Sequence, residues 1–80
     1  MRELRVYIRR AAREAPAAPP IFYSRRADGP FYRWRYEEGQ GCWRFSRVRL
    51  SKLTQSVLRV ASWDAVPAAL RARIGEHYLE

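Results

Sequence analysis

The chain has a single cysteine, Cys42, among 80 residues, so no internal disulfide and no cysteine zinc cluster can form. A lone thiol suits a reducing compartment, and the cytoplasm is the expected location. No run approaches the ~18 apolar residues that a membrane span needs. Arg2, Arg5, Arg9 and Arg10 interrupt every apolar stretch near the N-terminus, so no signal peptide is expected. His77 is the only histidine, and it sits between Glu76 and Tyr78. Neighbours on a helix do not face one another, so these residues make no acid–base pair. Cys42 has no histidine near it in sequence to act as a base. Glu37 and Glu38 are adjacent on a strand and point to opposite faces. Gly39-Gln40-Gly41 lacks the Lys-Ser/Thr and the helix of a phosphate loop. Ligands with metal-site number and spacing are lacking too. The chain is therefore not expected to be an enzyme, and no cofactor or metal is implied.

Asparagine is absent and Lys52 is the only lysine. Of 16 basic residues, 15 are thus arginine, against 8 acidic ones, for a net charge of +8. Arginine, alanine, glycine and proline share GC-rich codons, which is one of two explanations for arginine over lysine, selection for the guanidinium group being the other. Codon composition does not account for the excess of positive charge. That excess bears on polyanion binding and association rate rather than on fold.

The hydrophobic fraction of 48% and the aromatic fraction of 14% are far above those of a disordered tail. The length allows one domain over residues 1–80. Residues 11–20 include Ala15-Pro16-Ala17-Ala18-Pro19-Pro20, a proline- and alanine-rich linker between an N-terminal element and the body. In that element Leu4, Val6 and Ile8 alternate with Arg5, Tyr7 and Arg9. A helical stripe through Leu4, Ile8 and Ala11 also fits, but β-branched Val6 and Ile8 favour a strand. The body reads as strands over Ile21–Ala27, Phe31–Glu37, Cys42–Leu50 and Ser56–Ser62, with Ser51–Gln55 as a loop. Asp28-Gly29 is a two-residue hairpin signal. Gly39-Gln40-Gly41 makes a second turn. A helix follows with Asp64 as its N-cap and the stripe Val66, Leu70, Ile74, Tyr78. Gly75 either ends it or is tolerated within it. The expected fold class is α+β: a small antiparallel meander of four strands, or five with the N-terminal one, packed against one C-terminal helix.

The two turns sort the side chains. A two-residue first loop sets Tyr23 opposite Trp34. An even second loop sets Tyr36 opposite Trp43 and Trp34 opposite Phe45. One face then gathers Ile21, Tyr23, Tyr32, Trp34, Tyr36, Trp43 and Phe45, which the helix must cover. With Val60, Val66, Leu70 and Ile74 most of these form the expected core. Val48 and Leu50 reach that core only if a β-bulge intervenes near Ser46-Arg47. The opposite face gathers Phe22, Ser24, Arg26, Phe31, Arg33, Arg35, Glu37, Arg44 and Ser46. Its candidate contact residues are Phe22, Arg26, Phe31, Arg33, Arg35 and Arg44, with Arg35 and Arg44 directly opposed. Like charges so placed are destabilising. The face is therefore the candidate binding site, for single-stranded RNA or DNA through phosphate contacts and stacking. An acidic protein partner is the alternative. A membrane surface is not expected as a partner, because Leu4, Tyr7 and Ile8 are too few anchors. An exposed edge strand leaves a homodimer open.

Overall fold

A computed structural model describes residues 3–9 and 20–79. Strands β1 (Leu4–Arg9), β2 (Ile21–Arg26), β3 (Phe31–Glu37) and β4 (Cys42–Val48) form an antiparallel meander. Helix α1 (Lys52–Ser56) leads to the short strand β5 (Arg59–Ala61), which pairs with β1. A 3-10 turn over Trp63–Ala65 precedes helix α2 (Ala68–His77). The sheet order is β4-β3-β2-β1-β5. The fold is α+β, with the N-terminal element as an interior strand. Most of the expected linker lies outside the described residues.

β4 and β5 run parallel at opposite edges, so no hairpin can join them and a crossover must. Residues 49–58 make it. Gln55 lines the same hollow as Arg25 and Phe31, and Val57 lies beside Arg9. The crossover is thus on the side of the sheet away from α2. The expected loop at Ser51–Gln55 is a helical turn instead, because the Ser51 hydroxyl accepts from the Thr54 N–H at 3.1 Å and caps it.

The second hairpin has the even loop its sequence suggests. Four residues join Glu37 to its partner Cys42, and Gly41, at φ 63, donates to the Glu37 carbonyl at 2.7 Å. Trp34 faces Phe45 and Tyr36 faces Trp43 as expected. The pairing continues unbroken to Phe31 and Val48, so there is no bulge at Ser46-Arg47, and Val48 lies on the side away from α2.

The first hairpin departs by one residue. Its turn closes from Gly29 N–H to the Arg26 carbonyl at 2.7 Å, with Ala27 at φ 49. A Cβ on Gly29 would stand 2.9 Å from that carbonyl oxygen, which keeps this position glycine. The register becomes Phe22 opposite Trp34 and Ser24 opposite Tyr32. A one-residue slip exchanges the faces of the whole strand. Trp34 supplies the reason. Its indole N–H is wholly buried and needs an acceptor. The observed register brings Ser24 beneath the helix, where its hydroxyl accepts from Trp34 Nε1 at 2.9 Å and pairs with the Tyr78 hydroxyl at 2.9 Å. Arg26 comes with it, donating Nη2 to the Tyr78 carbonyl at 2.9 Å and lying over the Tyr78 ring.

The core beneath α2 comprises Val6, Phe22, Trp34, Trp43, Val66, Leu70 and Ile74. Tyr23, expected there, is buried on the opposite face. Tyr36 and Phe45 remain 40% and 45% exposed, and Val60 is also exposed. A ten-residue α2 spans only ~15 Å, too short to cover the outer part of the β3–β4 hairpin. The helix starts after Pro67 rather than at Asp64. Proline disfavours helical geometry in the residue before it, and Val66 is extended at ψ 133. Arg71 donates to the Val66 carbonyl at 3.1 Å and so ties the helix to this bend. The helix continues through Gly75 to His77.

Candidate nucleic-acid interface

Alternation along each strand builds the face away from α2. β1 contributes Arg5, Tyr7 and Arg9, because Leu4, Val6 and Ile8 turn to the core. β2 contributes Ile21, Tyr23 and Arg25. β3 contributes Phe31, Arg33, Arg35 and Glu37, and β4 contributes Cys42, Arg44, Ser46 and Val48. Four of the six expected site residues, Phe31, Arg33, Arg35 and Arg44, come together here. Phe22 and Arg26 do not: the register slip places both on the helix face, Phe22 in the core and Arg26 on Tyr78.

Arg25 replaces Arg26, and β1 adds Arg5 and Arg9. Arg5 stands opposite Arg25, and Arg35 opposite Arg44. Strands are ~4.8 Å apart and same-face neighbours along a strand ~6.8 Å apart, so guanidinium groups run across four strands within a Debye length of one another. Glu37 is the carboxylate these strands place among them. It reaches Arg44 at 3.9 Å, with both side chains largely in water, a pairing of little energetic weight.

Two of these arginines are partly withdrawn from water. Nε of Arg25 and Nε of Arg33 are buried without a hydrogen-bond partner. Arg25 lies over the Phe31 ring at 4.5 Å, and Tyr7 meets the same ring at 5.9 Å. Phe31 is therefore covered by side chains of its own face and offers no stacking platform, and Phe22 is in the core. Sequence reasoning missed Arg25 with the register. The signal was the need of a buried tryptophan N–H for an acceptor, which Ser24 supplies from β2.

The opposite surface is built differently. His77, the last residue of α2, packs among Tyr32 at 4.4 Å, Phe45 at 4.6 Å and Tyr78 at 4.7 Å and is half-buried. Burial lowers its pKa from the ordinary 6.5. Burial likewise raises the pKa of Tyr78, against the opposing hydrogen bond from Ser24. The folded state then holds the His77 proton less tightly than the unfolded chain. Its contribution to stability is complete above the unfolded value and is lost as pH falls through the folded one. His77→Phe keeps the ring and removes the titration. Urea unfolding between about pH 7.5 and pH 5.5 should show a smaller loss of stability in this variant than in wild type.

Cys42 is partly exposed on β4, and no group of three or more candidate metal ligands occurs among the described residues. No described helix is long and apolar enough to cross a membrane. No family model matches the chain, and neither a curated protein nor a solved structure does.

Proposed function

We propose that this protein is a non-catalytic module that binds single-stranded RNA or DNA through Arg5, Arg9, Arg25, Arg33, Arg35 and Arg44. The observation that carries this reading is the pair of directly opposed arginines, Arg5–Arg25 and Arg35–Arg44, on a face where the strands supply only Glu37 as a carboxylate. Such pairs cost stability in the unbound protein. A polyanion relieves the repulsion and gains entropy from released counterions. A single strand is favoured over a duplex because only unstacked bases can lie on the arginine planes of the face. Its arginine planes accept unstacked bases without reading their sequence. The cytoplasm, where a lone thiol stays reduced, is the proposed site of action.

Fluorescence anisotropy with a labelled strand of about 12 nucleotides tests this reading. Binding is expected to be micromolar or weaker at low salt, similar for RNA and DNA, and weaker for duplex. It should fall linearly on a log–log plot against salt, with a slope of about −0.7 per phosphate neutralised. If neither strand binds at low salt, the reading fails. Recovery of one stoichiometric acidic protein in its place, lost on charge reversal of the face, would establish the protein-partner alternative.

A further inference from the structure

Where β4 leaves the sheet, the Ala27–Gly29 turn, the end of β4 and α1 enclose an open hollow of about 790 Å³. Arg25, Arg47 and Arg49 line it, with Asp28 as the one carboxylate and Gln55 on the wall made by α1. Its apolar lining includes Phe31, on which Arg25 is stacked. Arg25 lies over that ring at 4.5 Å, and its buried Nε finds no acceptor in the protein.

The hollow differs in kind from the face it adjoins. On the sheet face the arginines are spread over neighbouring strands, an arrangement suited to phosphodiesters, which carry one charge each. Here three arginines, Arg25, Arg47 and Arg49, line a single concavity. That concentration suits a ligand with more charge at one point. A phosphomonoester carries about −1.5 to −2 at neutral pH and offers three terminal oxygens, each able to accept charge-assisted hydrogen bonds. Arg25 belongs to both places: it lines the hollow and lies diagonally beside Arg33 on the face. A strand following Arg44, Arg35 and Arg33 would reach the hollow at Arg25, and α1 stands across its path. We propose that the hollow takes the terminal phosphomonoester of the bound strand, an inference that rests on the reading of the arginine face as a nucleic-acid surface.

The test compares one oligonucleotide carrying a 5′-phosphate, a 3′-phosphate or neither, by anisotropy on the full chain at low salt. One of the two phosphorylated ends should bind about five- to tenfold tighter than the unmodified strand. Arg49→Gln should abolish that gain while changing the affinity of the unmodified strand by less than about threefold. Equal affinity of all three strands overturns the inference and leaves the face reading intact. Nucleoside monophosphate and inorganic phosphate are titrated in parallel, with the Gln55 side-chain amide followed by NMR. If no strand binds but either small phosphate shifts that amide, the hollow is a phosphate site and the face reading is the one that fails. If no strand binds and the amide is unmoved, both fail.

Discussion

Trp34→Ala is expected to lower the stability of the folded protein by about 3–5 kcal/mol, most of what a domain this small has to lose. Trp34 is 0% exposed and is the largest of the fully buried side chains. Its removal deletes ring packing against Phe45 at 5.0 Å and opens a cavity beneath α2. It also leaves Ser24, itself fully buried, without the indole donor that now pairs with it. Trp34→Phe weights the two contributions differently, since it retains much of the packing and loses the hydrogen bond altogether. That variant should cost about 1–3 kcal/mol. Urea or thermal unfolding followed by far-UV circular dichroism measures both. A wild-type-like midpoint for Trp34→Ala would mean that the tryptophan does not organise the core.

Charge reversal on the other face should do the opposite: little to the fold and much to binding. Arg33→Glu combined with Arg35→Glu is expected to weaken single-strand binding by about a hundredfold at about 50 mM salt, where each neutralised phosphate is worth roughly tenfold. The salt slope should become shallower by about 1.4, because two fewer phosphates are neutralised. Stability should hold, since Glu at position 35 would face Arg44 and replace a repulsive cross-strand pair with an attractive one. A variant that binds as wild type does would remove these arginines from the interface. A variant that unfolds would show that their stems support the sheet, and the single Arg35→Glu, whose side chain is exposed, then isolates the charge effect.

The two hairpins show how far the fold is legible in the sequence. The Gly39–Gly41 turn and the aromatic alternation of β3 and β4 agree on one register, and an odd loop would place Glu37 against Trp43. The first hairpin holds a conflict that alternation alone does not resolve. Ile21 to Arg26 alternates acceptably in either phase, with Phe22 or Tyr23 inward, and Asp28-Gly29 points to a two-residue loop. The decision lies in hydrogen bonding: Trp34 needs an acceptor, and only one phase brings Ser24 to it. Phe22 and Arg26 go to the helix face with that choice, and Arg25 enters the candidate site. The crossover reads as a loop because five residues with little apolar content carry no periodic signal. Its cap at Ser51 is the sign available. Arg5 and Arg9 are visible in the alternation of β1, but their place beside β2 depends on pairing distant in sequence.

The most direct measurement is NMR of the arginine Nε–Hε groups during titration with an unphosphorylated oligonucleotide, because these signals belong to one face where backbone amides serve both. The resonances of Arg33, Arg35 and Arg44 should shift together and saturate with one affinity, while those of Arg59, Arg71 and Arg73 stay in place. Shifts confined to Arg59, Arg71 and Arg73, with the first group silent, would contradict the assignment of binding to the face away from α2.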